Sequence, residues 1–130
     1  MDPLTEKARE VFSGDRFAAL TGIVIDAAGP DDATCSLPID ERHLNARGVA
    51  MGGVMFTLAD FAAAVAASTD LCWVSLDSSI HFLAPAVGKC LTAHCTALKK
   101  GRTTALYQTT IKVSDNGKTV AIAETTMIHV

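Results

Sequence analysis

The sequence predicts an α+β protein in which an antiparallel β-sheet wraps around one long central α-helix. Three observations carry that expectation. Residues Val54 to Ala67 are an apolar run holding one ionisable residue, Asp60, and a helix that is apolar on every side belongs in an interior. The chain after this run reads as strands of about ten residues divided by turn residues, with no helix between them. At 130 residues, 49% hydrophobic and 19% charged, the chain is expected to be one domain with a single core.

The elements follow in order. In the charged N-terminal stretch Leu4, Ala8, Val11 and Phe12 recur at helical spacing, which predicts a short amphipathic helix within residues 1–14. Phe17 to Ala28 reads as a strand, with Gly29-Pro30-Asp31-Asp32 as its turn. Ala33, Cys35, Leu37 and Ile39 alternate with more polar neighbours as a second strand, which Pro38 either ends or marks as an edge. A polar connection, Asp40 to Ala50, leads into the helix, expected from Gly53 to Ser68. Strands then run from Leu71 to Leu83, Lys89 to Leu98, Thr103 to Val113 and Thr119 to Val130. Asp115-Asn116-Gly117 between the last two is a tight-hairpin signal. Together these predict an antiparallel meander. One sheet covers one face of an apolar helix, so the other face should meet a second subunit, giving at least a dimer.

Composition excludes several classes. A net charge of −3 and few aromatic residues provide neither a field nor a stacking platform for nucleic acid. No secretory signal is visible, and the apolar run is too short and alanine-rich to span a bilayer, so a cytoplasmic protein is expected. Cys35, Cys72, Cys90 and Cys95 lack metal-type spacing, and Cys90 and Cys95 should point to opposite faces of one strand. Buried reduced thiols are expected, with a disulfide or a zinc site as the lesser alternative.

Two features point to chemistry. Asp60 is either a functional carboxylate or a partner for a backbone or a cation from elsewhere in the fold. Met51-Gly52-Gly53 stands at the start of the helix, where N–H groups lack intrahelical partners and the helix dipole is positive. Glycine there would let a carbonyl oxygen approach and be polarised, or would only permit a tight turn. Gly53 and Asp60 share a helix face but lie about 10 Å apart along the axis, so one carbonyl carbon cannot contact both within one subunit. If both serve one substrate, the Asp must come from an antiparallel helix of a partner.

Other residues are more ambiguous. Asn45 either bonds a substrate or shapes its own turn. Ser75 is expected on the polar strand face with Trp73, Asp77, Ser79 and His81, supporting a carboxylate or bonded to backbone. His43, His81, His94 and His129 show no ligand spacing and no nucleophile partner, and none is assigned catalysis. Lys99, Lys100 and Arg102 around Gly101 make a basic hairpin tip that is solvated or meets a phosphate.

The stretch Asn45-Ala46-Arg47-Gly48-Val49-Ala50-Met51-Gly52-Gly53, continuing to Leu58-Ala59-Asp60, resembles the signature of the hotdog-fold acyl-CoA thioesterases of the phenylacetate-pathway (PaaI) type. That signature runs Asn, Gly, His-Gly-Gly, then Leu-x-Asp. Ser75 through Pro85 and Lys100-Gly101-Arg102-Thr103 resemble the family's next strand and its basic turn, so the likeness extends from about Phe17 to the end. The resemblance implies a hotdog fold and hydrolysis of a small, medium-chain or aromatic acyl-CoA without metal or cofactor. It implies Asp60 as general base or nucleophile, the Gly53 N–H on the thioester carbonyl, Asn45 positioning that carbonyl or the water, and Ser75 assisting. It places Met51, Gly52, Pro85, Lys100, Gly101 and Arg102 against CoA. It also implies a homodimer or a homotetramer built from dimers with antiparallel helices.

One departure is Met51, standing where the family usually has His, which removes any hydrogen bonding by an imidazole. Two other readings follow: a non-catalytic acyl-CoA-binding protein of the same fold, or a hotdog hydratase or dehydratase. The latter usually pair an acid with a His, and none lies near Asp60 in the sequence.

Overall fold

The computed structural model describes residues 2–67 and 69–130. Met1 and Ser68, assigned above to helix ends, lie outside the described residues. Helix α1 (Pro3–Val11) begins where Asp2 accepts the Thr5 N–H on its side chain at 3.0 Å, with Pro3 at the first helical position. A 3-10 turn, Phe12–Gly14, follows.

The strand expected from Phe17 is a correction: its first half is a second helix, α2 (Arg16–Thr21). Its two ends explain this. The Asp15 carboxylate accepts the Ala18 N–H at 3.1 Å, and Gly22, at φ 96°, turns the chain out of the helix while its N–H bonds the carbonyls of Ala18 and Ala19. Strand β1 is therefore only Val24–Gly29.

The remaining elements are β2 (Asp32–Pro38), α3 (Gly52–Ala67), β3 (Trp73–Phe82), β4 (Cys90–Lys100), β5 (Thr104–Val113) and β6 (Thr119–His129). They build one six-stranded sheet in the order β1-β2-β4-β5-β6-β3, antiparallel throughout. β4, β5 and β6 form the expected meander. β3 does not join it next to β4: after β2 the chain passes through α3 and enters at the far edge, beside β6. Pro38 ends β2 as expected, but β2 is an interior strand between β1 and β4, and the proline is tolerated as its last residue. The turn holding Asp115-Asn116-Gly117 joins β5 to β6, closed by the Val113 N–H on the Lys118 carbonyl at 2.9 Å.

Helix α3 lies across the sheet. Leu58, Ala59, Ala62, Ala63 and Ala66 are at most 1% exposed and share the core with Cys35, Leu37, Leu91, Ala93, Cys95, Tyr107 and Ile111. The alanines keep the helix backbone close to the strands, as interior packing density requires. The opposite face of α3 is open. Gly53 and Asp60 are exposed there, and Val54, Phe56, Thr57 and Ala64 are half-buried. Asp60 is thus not buried within one chain, contrary to the reading of an all-round apolar helix. Helix α1 closes over β1, where the Ala28 N–H donates to the Thr5 hydroxyl at 3.1 Å and Arg9 Nε donates to the Ile25 carbonyl at 2.8 Å.

All four cysteines are free thiols, but only Cys35 and Cys95 are buried; Cys72 and Cys90 are half-buried, which corrects the expectation of four buried thiols. Burial pushes the Cys35 thiol up to about 12 and the Cys95 thiol up to about 11 from an ordinary value of 9.0. A raised folded value means that the unfolded chain ionises first. The stability these thiols contribute is complete below pH 9 and is lost as pH rises towards about 11 and 12. The melting temperature should fall through this window, and fall less in a Cys35→Ala/Cys95→Ala double variant. Parallel curves for the two proteins would refute the assignment. Among the described residues no helix is long and apolar enough to cross a membrane, and no group of three His, Cys, Asp or Glu side chains could hold a metal ion.

Candidate active site

The residues singled out from the sequence fall into three places on one chain. The first is the N-terminal end of α3. Met51 accepts the N–H groups of Val54 and Met55 on its carbonyl, at 3.0 and 3.3 Å, and opens the helix. The N–H groups of Gly52 and Gly53 precede the first possible intrahelical bond, and no acceptor meets them among the described residues. A Cβ added at Gly53 would meet nothing within 4 Å, whereas one at Gly52 would lie 2.9 Å from the Phe82 ring. Gly53 therefore presents bare backbone to open space.

Gly52, not Gly53, lines an adjoining apolar cleft of about 460 Å³, walled by Val49, Ala50, Met55, Phe82, Leu83 and Pro85, with Asn45 and Arg47 as its polar members. Asn45 Oδ1 accepts the Arg47 N–H at 2.9 Å and the Val49 N–H at 3.3 Å, so the oxygen shapes the loop and the amide NH2 is the group left to donate. Met51 is 55% exposed. His43, in the connection before the helix, is a fastening: its Nδ1 accepts the Asp40 N–H at 3.0 Å and its Nε2 donates to the Thr21 carbonyl at 2.7 Å.

The second place is Asp60. Ser75 Oγ donates to Asp60 Oδ1 at 3.0 Å. Both line a cleft of about 340 Å³ whose other walls are apolar: Phe12, Ala64, Leu71, Trp73, Val74 and Met127. A bulge makes this meeting possible. Ser75 pairs with Met127 and Asp77 with Thr126, which leaves Leu76 as an extra residue, 61% exposed. Ser75 thus shares the inner side of β3 with Trp73, Ser78 and Ile80, while Asp77, Ser79 and His81 are exposed on the other side. The expected polar face joining Ser75 to Asp77, Ser79 and His81 is corrected by that one residue.

The third place is the basic hairpin tip, at the opposite end of α3 from Gly53. Gly101 closes the turn through its N–H on the Thr104 carbonyl at 2.8 Å, and Arg102 is exposed. Lys100 is held inward. Its ammonium donates to Asp31 Oδ1 at 2.8 Å and to the carbonyl of Ala67, the last residue of α3, at 3.0 Å, and it lies 4.6 Å from the centre of the Trp73 ring. A cation at a helix C-terminus is favourably placed. Buried Tyr107 donates to the same Asp31 oxygen at 2.6 Å, and burial followed by this bond raises its phenol above the ordinary range. Asp31 sits in the left-handed region, at φ 55°.

Sequence reasoning finds Asp31 only as a turn residue and does not single out Tyr107. Asp31 sits in a Gly-Pro-Asp-Asp turn, and no local signal links that turn to a residue 69 positions further on. Lys100→Met should lower stability by about 1–2 kcal/mol, since it removes two hydrogen bonds of a charged donor, whereas Arg102→Ala should change stability by less than about 0.5 kcal/mol. Chemical denaturation of the two variants checks this, and equal stabilities would remove the structural role of Lys100.

An antiparallel sheet wrapped on one helix, with a carboxylate and a bare glycine backbone on the helix face the sheet leaves open, defines a hotdog-fold protein. The family match is direct: the model of the thioesterase superfamily covers residues 47–121, more than half of the sequence, and the chain belongs to that family. Acyl-coenzyme A thioesterase PaaI of Escherichia coli is 31% identical over 119 residues, 90% of this chain and 84% of that one. The solved structure of the E. coli PaaI protein from the phenylacetic acid degradation operon matches with a TM-score of 0.88 at 27% identity, covering 98% of this chain and 96% of that one. Human acyl-coenzyme A thioesterase 13 is 29% identical over 133 residues, 93% of each chain. A hypothetical thioesterase protein from Streptococcus pneumoniae, solved with coenzyme A, matches with a TM-score of 0.80 at 28% identity over 94% of this chain and 96% of that one. The PaaI-type hotdog fold implied by the sequence resemblance is therefore the fold found.

Proposed function

We propose that this protein is a cytoplasmic acyl-CoA thioesterase acting on small, medium-chain or aromatic acyl groups. The observation that carries the reading is the Asp60 carboxylate, bonded by Ser75 inside an apolar cleft, on the same helix face as the bare Gly53 backbone. Asp60 activates a water, or attacks directly, at the thioester carbonyl carbon. The Gly53 N–H, at the positive end of the helix, stabilises the charge that develops on the carbonyl oxygen. The C–S bond then breaks and the CoA thiolate leaves, taking up the proton that Asp60 drew from the water; after direct attack, a water hydrolyses the acyl–Asp60 anhydride and frees the carboxylate. Asn45 offers its amide NH2 to the carbonyl or the water, and Ser75 fixes the orientation of the carboxylate. Met51, Gly52 and Pro85 line the approach. Gly101 and Arg102, at the basic hairpin tip, are the groups we assign to the CoA phosphates. Lys100 serves that end through its hold on the tip.

The two halves of the site stand about 10 Å apart on one helix, so the working unit is a homodimer with antiparallel α3 helices, or a tetramer of two such dimers. The outer face of α3 and the free edge of β3 are the surfaces to be covered. Val74, Leu76 and Phe82 on that strand are 43, 61 and 53% exposed in one chain, and open edges of this kind are normally protected.

A direct test is release of CoA from a panel of acyl-CoA esters. Turnover of short, medium or aromatic esters is expected; saturable binding without release across the panel would replace this reading with that of an acyl-CoA-binding protein. Met51, at the position of the family's usual His, is the observation that favours this second reading.

A further inference from the structure

We infer that Phe12 sets the length of acyl chain this protein accepts, as the removable wall between the Asp60 cleft and a second apolar cleft behind it. The inference rests on the proposal that acyl groups occupy the Asp60 cleft. That cleft, about 340 Å³, is lined on one side by Phe12. The same side chain lines a further cleft of about 410 Å³ under α2 and β1, whose apolar wall is Ala18, Ile23, Val24, Ile25 and Phe61 and whose polar members are Arg9, Ser13 and Asp15. Each volume is near the lower end of the range for small-molecule sites. Together they would hold a far longer chain.

The wall is fixed from two directions. The Phe12 ring meets the Phe61 ring edge to face, with centroids 5.7 Å apart and planes at 81°, a favoured aromatic geometry. Phe61 is 6% exposed and follows Asp60 on α3, so the partner ring is anchored in the core. The backbone of Phe12 is equally constrained. Its N–H bonds the carbonyls of Ala8 and Glu10, and its carbonyl accepts the Asp15 N–H at 3.0 Å. Ring and backbone are held together, so the side chain acts as a partition.

An acyl chain entering past Asp60 and Ser75 meets this partition after the space bounded by Ala64, Leu71, Trp73, Val74 and Met127. Short and compact acyl groups fit in front of it, and long linear chains do not. Truncating Phe12 joins the two clefts, and every methylene that then reaches the second cleft is drawn from water into apolar surroundings.

The test compares kcat/KM for butyryl-CoA and dodecanoyl-CoA in wild type, Phe12→Ala, Phe12→Trp and Asp60→Asn. Phe12→Ala should raise the dodecanoyl-to-butyryl ratio by at least about tenfold, the low end of what a hydrophobic pocket discriminates per methylene. Phe12→Trp, which keeps and enlarges the wall, should lower the ratio below that of wild type. A ratio is insensitive to loss of folded protein, so a purely structural role for Phe12 would move both rates and leave the ratio alone. An unchanged ratio in Phe12→Ala, or in Phe12→Trp should the alanine variant fail to fold, overturns the inference. Activity of Asp60→Asn equal to wild type would instead overturn the placement of the site on which the inference rests. An inactive Asp60→Asn with an unchanged ratio in the Phe12 variants would remove Phe12 alone.

Discussion

Asp60→Asn should lower kcat/KM for a good acyl-CoA substrate by about 10²–10⁴-fold, the range associated with loss of a positioned general base. Asparagine has nearly the shape of aspartate and keeps an oxygen to accept the 3.0 Å bond from Ser75, so the side chain should stay where it is. What it loses is the capacity to take a proton from water or to attack a carbonyl. Because the shape and the bond from Ser75 are both kept, fold stability should change by about 0.5 kcal/mol or less. The combination is the diagnostic part: a steep fall in rate, an unaltered melting temperature and retained binding of the ester. Measured with CoA release and calorimetry on the same preparations, comparable rates in the two proteins would remove Asp60 from the chemistry.

Mixing two inactive proteins should restore activity. Gly53→Val places a side chain on the bare backbone at the helix start, where even a Cβ meets nothing within the chain, so this variant should fold and lose turnover. Asp60→Asn loses turnover for a different reason. In a dimer whose sites take Asp60 from one chain and Gly53 from the other, a mixed dimer has one site carrying both lesions and one carrying neither. Random reassociation of equal amounts makes half of the dimers mixed, so the mixture should recover about a quarter of wild-type activity, as expected for a two-fold symmetric assembly. If each site drew both residues from one chain, every site in the mixture would carry one lesion and the mixture would be as inactive as its parents. Any acyl-CoA ester that the wild type turns over serves as the reporter, so a shared site is separated from a site within one chain whatever the preferred acyl group.

The parts of the fold legible in the sequence are those governed by local pattern. The apolar run of α3, the strand alternation with its turn residues and the common helix face of Gly53 and Asp60 all follow from spacing alone. Helix α2 escapes such reading because six residues, Arg16–Thr21, are too few for a helical period to show, and the deciding signals are the Asp15 and Gly22 caps. The far-edge placement of β3 is equally hidden, because no local property of a strand says which edge it will join. The environment of Lys100 is concealed for the same reason: a basic hairpin tip looks solvated until a turn from the other end of the chain and the last carbonyl of α3 converge on it.

The extra residue at Leu76 bears on how any set of related sequences should be compared. It acts as a phase slip. Before it, odd-numbered positions of β3 look towards the helix, and after it the even-numbered ones do. With a single phase throughout, Asp77 would share the helix side with Asp60, two carboxylates close together, while Ile80 would be turned to the outer side. The slip lets one strand carry a serine beside the Asp60 carboxylate and still present its own acid, serine and histidine outwards. Reading β3 by parity alone would mis-sort every position beyond Leu76. A change at Ser78 is an interior event, where its hydroxyl bonds Thr125 at 2.9 Å, and a change at Asp77 is a surface one.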